Sequence, residues 1–146
     1  MPRLSDDLML IELEIRQIRI INDLSSSQEV ILAEKNGNRI LAVYVGFYEA
    51  NIIDNSVNGR KSERPMAHDL IYNITDAINY AIKYVMIDDL IKGVFYGKLV
   101  IGGNNDEDLL IDCRPSDALV LAVKRSLPIF VEDHVINEVG IEINDV

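Results

Sequence analysis

The chain has 146 residues, 49% of them hydrophobic and 26% charged, enough to bury a core without a disulfide or metal staple. Its net charge of −10, from 24 acidic against 14 basic residues, argues against a broad basic face for phosphates. The acids near the N-terminus and the absence of any apolar run of about 18 residues argue against a signal peptide and a membrane span, and one cysteine, Cys113, suits a reducing cytoplasm.

From Met9 the apolar residues Met9, Ile11, Leu13 and Ile15 alternate with Leu10, Glu12, Glu14 and Arg16, the period of a half-buried strand. The phase slips before Ile18 and Ile20, which places a bulge near Gln17. After a turn-rich connector, Val30 to Ala33 and Ile40 to Val45 read as strands joined by Asn36-Gly37-Asn38, a strong hairpin signal. Glu49 to Val57 reads as a short helix with Ile53 and Val57 on one face. A polar loop, NGRKSERPM, follows.

From His68 the residues Ile71, Ile74, Ile78 and Ile82, with Leu70, Ala77 and Ala81, form one apolar stripe, and Asn73, Asp76 and Asn79 lie opposite. This predicts an amphipathic helix with the stripe inward. Val85 to Ile87, Val94 to Ile101 and Leu109 to Cys113 are the next strands, the last two separated by the turn Gly102-Gly103-Asn104-Asn105. An apolar helix then begins at Pro115 and is ended by Pro128. Ile129 to Val131 forms a strand, Glu132 to Val139 a helix, and Ile141 to Ile143 a tail.

Laid over itself at an offset of 68, the chain matches LAVYVGFYEANII (41–53) to LLIDCRPSDALVL (109–121). Glu49 then falls on Asp117, and Asn36-Gly37-Asn38 falls on Asn104-Asn105-Asp106. Upstream, INDL (21–24) and IDDL (87–90) agree at an offset of 66. The expectation is an α+β fold over residues 1–146 as one domain, a mixed β-sheet with helices, built from a possible internal duplication of a three-strand plus helix unit. Glu49 and Asp117 would start equivalent helices and face each other.

Acidic groups stand at the ends of these elements: Glu49, the pair His68–Asp69, and Asp112 with Asp117. Converging carboxylates and an imidazole can bind Mg²⁺ or Mn²⁺ and activate water for phosphodiester cleavage. Arg64 and Arg114 can grip phosphate oxygens. The same residues have plainer uses. Pro115 at the first position of a helix and Asp117 at its third are what a helix N-terminus prefers, and Glu49 and Asp69 fall in first turns as well. Ser116, His68 and Asp69 supply the residue types of a hydrolase triad, but no G-x-S-x-G elbow surrounds Ser116. Walker, dinucleotide and zinc-protease motifs are absent, and one cysteine excludes a zinc knuckle.

Taken in order, VYVGFYEA (43–50), RPMAHDL (64–70), GVFYGKLVI (93–101), IDCRPSDALVLAV (111–123) and PIFVED (128–133) resemble the bifunctional nuclease domain family over about residues 15–143. The resemblance implies a compact intracellular α+β domain that assembles as a homo-oligomer and cleaves DNA and RNA. It carries over to Glu49, Arg64, Pro65, His68, Asp69, Asp112, Arg114, Ser116 and Asp117. Asp112, Asp117 and Glu49 would then hold Mg²⁺ or Mn²⁺, His68 with Asp69 would act as base or orient water, and Arg64, Arg114 and Ser116 would bind substrate. Ala67 stands where the family usually has threonine, which removes a candidate helix cap, and Phe47–Tyr48 replace smaller residues. The alternative is a non-catalytic oligomeric module whose polar strings hold its fold together.

Overall fold

The computed structural model describes residues 9–21, 27–61, 64, 66–105 and 107–145. Three antiparallel strands open it: β1 (Leu10–Arg19), β2 (Gln28–Glu34) and β3 (Arg39–Val45), followed by helix α1 (Phe47–Val57). Helix α2 (Ala67–Ala77) leads into a second antiparallel set, β4 (Tyr80–Ile91), β5 (Val94–Gly103) and β6 (Leu109–Cys113), followed by helix α3 (Pro115–Arg125). Strand β7 (Ile129–Glu132), helix α4 (Asp133–Val139) and the short β8 (Ile141–Glu142) complete the chain before a 3₁₀ turn. The architecture is α+β with a mixed eight-stranded sheet in the order β6-β5-β4-β7-β1-β2-β3-β8.

The order strand-strand-strand-helix occurs twice, and the 68-residue shift carries Phe47–Val57 onto Pro115–Arg125. Strand β7 sits between the two sets, antiparallel to β1 and parallel to β4. Both long strands carry bulges, β1 between Ile15 and Gln17, where the sequence phase slips, and β4 at two places. The β4–β5 hairpin turns on Lys92 and Gly93, both with positive φ, the geometry of a two-residue primed turn.

Alternate residues of the strands feed opposite faces of the sheet. Leu13, Val30, Leu32, Val43, Val85, Ile87 and Leu99 face α1, α3 and α4, and the core closes on Ala50, Ile53, Leu119, Leu121 and Ile136. Leu10, Tyr84, Met86 and Val100 cluster apart from it with Phe130, whose ring meets that of Tyr84 edge-on at 5.3 Å. Helix α3 is the most enclosed helix, with Ala118 through Ala122 all buried. It ends at Ser126, which adopts the left-handed conformation just before Leu127 and Pro128.

Two expectations for α1 and α2 need correction. Ile53 is buried, but Val57 is exposed. The apolar stripe of α2 is divided: Ile71 packs against the core, but Leu70, Ile74 and Ile78 are all more than half exposed, while His68, Tyr72 and Thr75 are buried. The helix also stops at Ala77, because Asn79 turns to a φ of 60° and Tyr80 begins a strand; Ala81 and Ile82 therefore belong to β4. Polar bonds fix the inverted face. The Tyr72 hydroxyl donates to the Leu121 carbonyl, and the Arg125 guanidinium lies 3.9 Å from the centre of the Tyr72 ring.

Met66 is the N-cap of α2 and Ala67 its first helical residue, so the threonine of the family pattern would not cap this helix. Asp69 does that work from the third position, accepting the Met66 N–H at 2.9 Å and pairing with Lys124 at 2.8 Å. Its carboxyl is held below the ordinary range, chiefly by Lys124 and then by the Met66 N–H. Asp69→Ala is expected to cost about 1 kcal/mol, read as a lowered thermal midpoint. Because the folded pKa is depressed, that difference is full above about pH 4 and shrinks as pH falls further.

Candidate functional site

The strand-to-helix turn between β6 and α3 is built by three local constraints. Arg114 takes an extended backbone as N-cap, Pro115 supplies a preset φ at the first helical position, and Asp117 lands at the third. Strand β5 presses close beneath: a Cβ at Gly97 would come within 3.1 Å of the Cys113 carbonyl oxygen and 3.3 Å of the Pro115 nitrogen. A larger residue at 97 would press on the backbone of the turn by a few tenths of an ångström.

Asp117 is the hub. Its Oδ1 lies 3.0 Å from His68 Nε2, while Arg114 spans both of its oxygens, Nε to Oδ2 and Nη2 to Oδ1, each at 2.8 Å. Arg114 Nη2 also reaches Glu49 Oε1 at 3.3 Å. Glu49 stands at the third position of α1 as Asp117 does of α3, and the expected facing pair is therefore joined by one guanidinium. The Asp117 carboxyl is held below the ordinary range, first by Arg114 and then by His68, against the opposing effect of burial. Arg114 is raised in return, chiefly by Asp117. A carboxylate only accepts, so His68 Nε2 donates the proton of this contact.

The other site residues are distributed differently from expectation. Asp69 turns away from its neighbour His68 to Lys124, so the partner of His68 is Asp117. Asp112 is well exposed and pairs with Lys98 at 3.2 Å, which also holds Asp88 at 3.3 Å. Ser116 is buried at the second position of α3. Arg64 is exposed in the loop before α2, while Pro65 lies outside the described residues. Asp112, Arg114, Ser116 and Asp117 line a cavity of about 1010 Å³ between β3 and the β4–β5 hairpin. Glu49 and His68 connect to it through Arg114 and Asp117. Cys113 beside them is an inert thiol, pushed up to about 12 chiefly by burial.

As arranged, the expected metal ligands Glu49, Asp112 and Asp117 already have cationic partners. Among the described residues, no three histidine, cysteine, aspartate or glutamate side chains are grouped to hold a metal ion. The sequence also carries two short basic stretches, Arg60–Lys61 and Lys124–Arg125, that come together at Lys124. Arg60 and Lys61, after α1, share a pocket of about 270 Å³ with Lys124, Asn55 and Ser56, beside the start of α2. Their separation by more than half the α1-to-α3 span hid this in one dimension.

The model of the bifunctional nuclease domain matches residues 30–144, which includes every residue of the turn and its partners. The chain belongs to the bifunctional nuclease domain family. A protein of Mycobacterium tuberculosis described as uncharacterized is 35% identical over 133 residues, covering 90% of this chain and 79% of that protein. Bifunctional nuclease 1 of Oryza sativa subsp. indica is 21% identical over 126 residues, covering 84% of this chain and 38% of that protein. Bifunctional nuclease 2 of Oryza sativa subsp. japonica is 25% identical over 104 residues, 70% of this chain and 32% of that protein. The rice proteins are thus much longer than the family domain they share with this chain. Strand β1 begins before the matched segment, yet it pairs with both β2 and β7.

Proposed function

We propose that the chain is a nuclease that hydrolyses phosphodiester bonds in DNA or RNA at the β6–α3 turn. The observation that carries the proposal is the 3.0 Å contact of His68 Nε2 with Asp117, whose carboxylate is itself fixed by Arg114. Asp117 sets the tautomer of the imidazole and stabilises its charged form, so that Nδ1 takes a proton from water as the water oxygen bonds to phosphorus, the P–O bond to the leaving nucleotide breaks, and the leaving oxygen is protonated from solvent. The outer face of Arg114 is exposed and offers N–H donors to phosphate oxygens. The pocket of Arg60, Lys61 and Lys124 gives a polyanion a foothold on an otherwise acidic chain.

Mg²⁺ or Mn²⁺ enters this reading as an arm of its test, because ligation by Glu49, Asp112 and Asp117 requires Arg114 and Lys98 to release them. Assembly as a homo-oligomer and a cytoplasmic setting belong to the same reading. The single cysteine is free, as in a reducing compartment, and no helix among the described residues is long and apolar enough to cross a membrane.

Purified protein is assayed on labelled single-stranded DNA and RNA with Mg²⁺, with Mn²⁺ and with chelator. His68→Ala is expected to lower the rate by about 10²–10⁴-fold. Full activity in that variant would assign the cleavage to a contaminant or another site. The second reading, a non-catalytic oligomeric module, is favoured by the mutual satisfaction of Glu49, Arg114, Asp117 and His68, and it predicts no cleavage in any arm.

A further inference from the structure

The cavity beside the β6–α3 turn is far larger than a phosphate group needs. It holds about 1010 Å³ between β3 and the β4–β5 hairpin, and most of its wall is apolar. Tyr44 on β3 and Tyr96 on β5 stand in that wall from its two sides, 62% and 39% exposed. Strand β8 meets β3 only at Arg39 and Ile40, so among the described residues the rest of that edge, Leu41 to Val45, has no strand partner. Every second residue of an antiparallel strand turns its N–H and C=O to one side, and here that side opens on the cavity. Arg114 stands at one end. Its Nε and Nη2 are held by Asp117 and Glu49, while among the described residues Nη1 donates to no side chain.

We propose that this cavity takes an unpaired base of a single-stranded nucleic acid, stacked against Tyr44 and Tyr96, with a neighbouring phosphate on Nη1 of Arg114. This rests on the nuclease reading above and names the form of its substrate. Tyrosine rings stack on the face of any base, the open edge of β3 offers donors and acceptors to its rim, and Arg114 supplies a cation for the phosphate.

A duplex suits the cavity poorly. Its base faces are hidden in the stack, and it is held chiefly by neutralising phosphates, which a chain of net charge −10 cannot do over a broad face. The other polymer that fits an open strand edge is an extended peptide, and the basic pocket decides against it. Met66 lines the pocket of Arg60, Lys61 and Lys124, and His68, two residues on, contacts Asp117 in the cavity wall. A strand that leaves the cavity past His68 therefore meets further cations, which a polymer with a phosphate on every unit can use.

The test is fluorescence anisotropy of a labelled oligothymidylate, and of a duplex of the same length, with the whole chain. Wild type is measured in chelator and His68→Ala in Mg²⁺, so that the strand survives. The single strand is expected to bind about 10–100-fold more tightly than the duplex, whose base must first be unstacked. Its affinity should fall with salt along a logarithmic slope no steeper than about −2, that of about three phosphate contacts on a single strand. Tyr44→Ala and Tyr96→Ala are each expected to weaken binding by about 5–150-fold, the worth of one stacked base. Tyr44→Phe and Tyr96→Phe keep the ring and should bind like the wild type. Should an alanine variant not fold, the wild-type ratio of single strand to duplex decides alone.

Equal affinity for the duplex overturns the proposal, as does absence of binding in both conditions. Alanine variants that bind like the wild type, or phenylalanine variants that lose as much as alanine, overturn it too. A strand that binds as expected and is never cut sinks the nuclease reading and leaves the base site standing. Cleavage that is lost in His68→Ala but indifferent to both rings does the reverse.

Discussion

Asp117→Ala is expected to lower phosphodiesterase activity by about 10²–10⁴-fold and folding stability by about 1–3 kcal/mol. One carboxylate serves two dependants. Its loss frees His68 to take either tautomer and leaves the buried imidazole N–H unpaired, and it also releases Arg114 from its bidentate hold. Asp117→Asn preserves the volume and leaves one oxygen to accept from His68 Nε2 and Arg114 Nη2, but its amide nitrogen meets Arg114 Nε donor to donor, and it carries no charge to balance an imidazolium. It is therefore expected to lose nearly as much activity while folding better.

Turnover measured beside urea unfolding separates these effects. The pH dependence has a definite sign. The folded pKa of Asp117 is depressed, so its contribution to stability is complete above about pH 4 and is lost as pH falls through the folded value. Wild type and Asp117→Ala should thus converge in acid. An Asp117→Ala protein that cleaves and unfolds like the wild type would show that the turn is neither a site nor a brace.

The largest purely structural effect is expected at Leu121. It is fully buried at the centre of α3, the helix around which both strand sets pack. Leu121→Ala is expected to destabilise the fold by about 2–5 kcal/mol, with the urea midpoint reporting the loss. The backbone carbonyl that receives the Tyr72 hydroxyl is kept, so a deficit much below that range would mean the core relaxes around the gap. Ile111→Ala on β6 is the control. That side chain is 41% exposed, and its removal is expected to cost under about 1 kcal/mol.

Much of the secondary structure was legible in the sequence because its signals are local. Asn36-Gly37-Asn38 turns β2 into β3, Leu109 to Cys113 is β6, and Pro115 begins α3. The bulge in β1 lies at the phase slip near Gln17. The doubled order of three strands and a helix was also readable, since turns and helix starts recur at one offset. What periodicity conveys is that a helix has two faces; it does not say which face its own chain covers. For α2 that choice depended on polar partners in α3, 49 residues away along the chain.

The site was legible by residue type and illegible by pairing for the same reason. Asp69 adjoins His68 in sequence, but the packing of α2 on α3 gives His68 to Asp117 and Asp69 to Lys124. Asp112 shares its turn with Arg114, yet in a strand its side chain points toward Lys98 on β5. Glu49 was placed correctly because both helix starts obey the same rule, with an acid at the third position.

The place of β7 bears on how the chain comes to be folded at all. Among the described residues, the two antiparallel sets are joined within the sheet only through residues 129–132. During synthesis each set can zip from local hairpins as it emerges, but the sheet cannot become continuous until β7 slots between β1 and β4. Joining Leu10–Leu13 to Ile129–Glu132 closes a loop of nearly the whole chain, a late and entropically costly event. Until then both flanks of the future slot are open strand edges, the kind of surface that pairs with other chains.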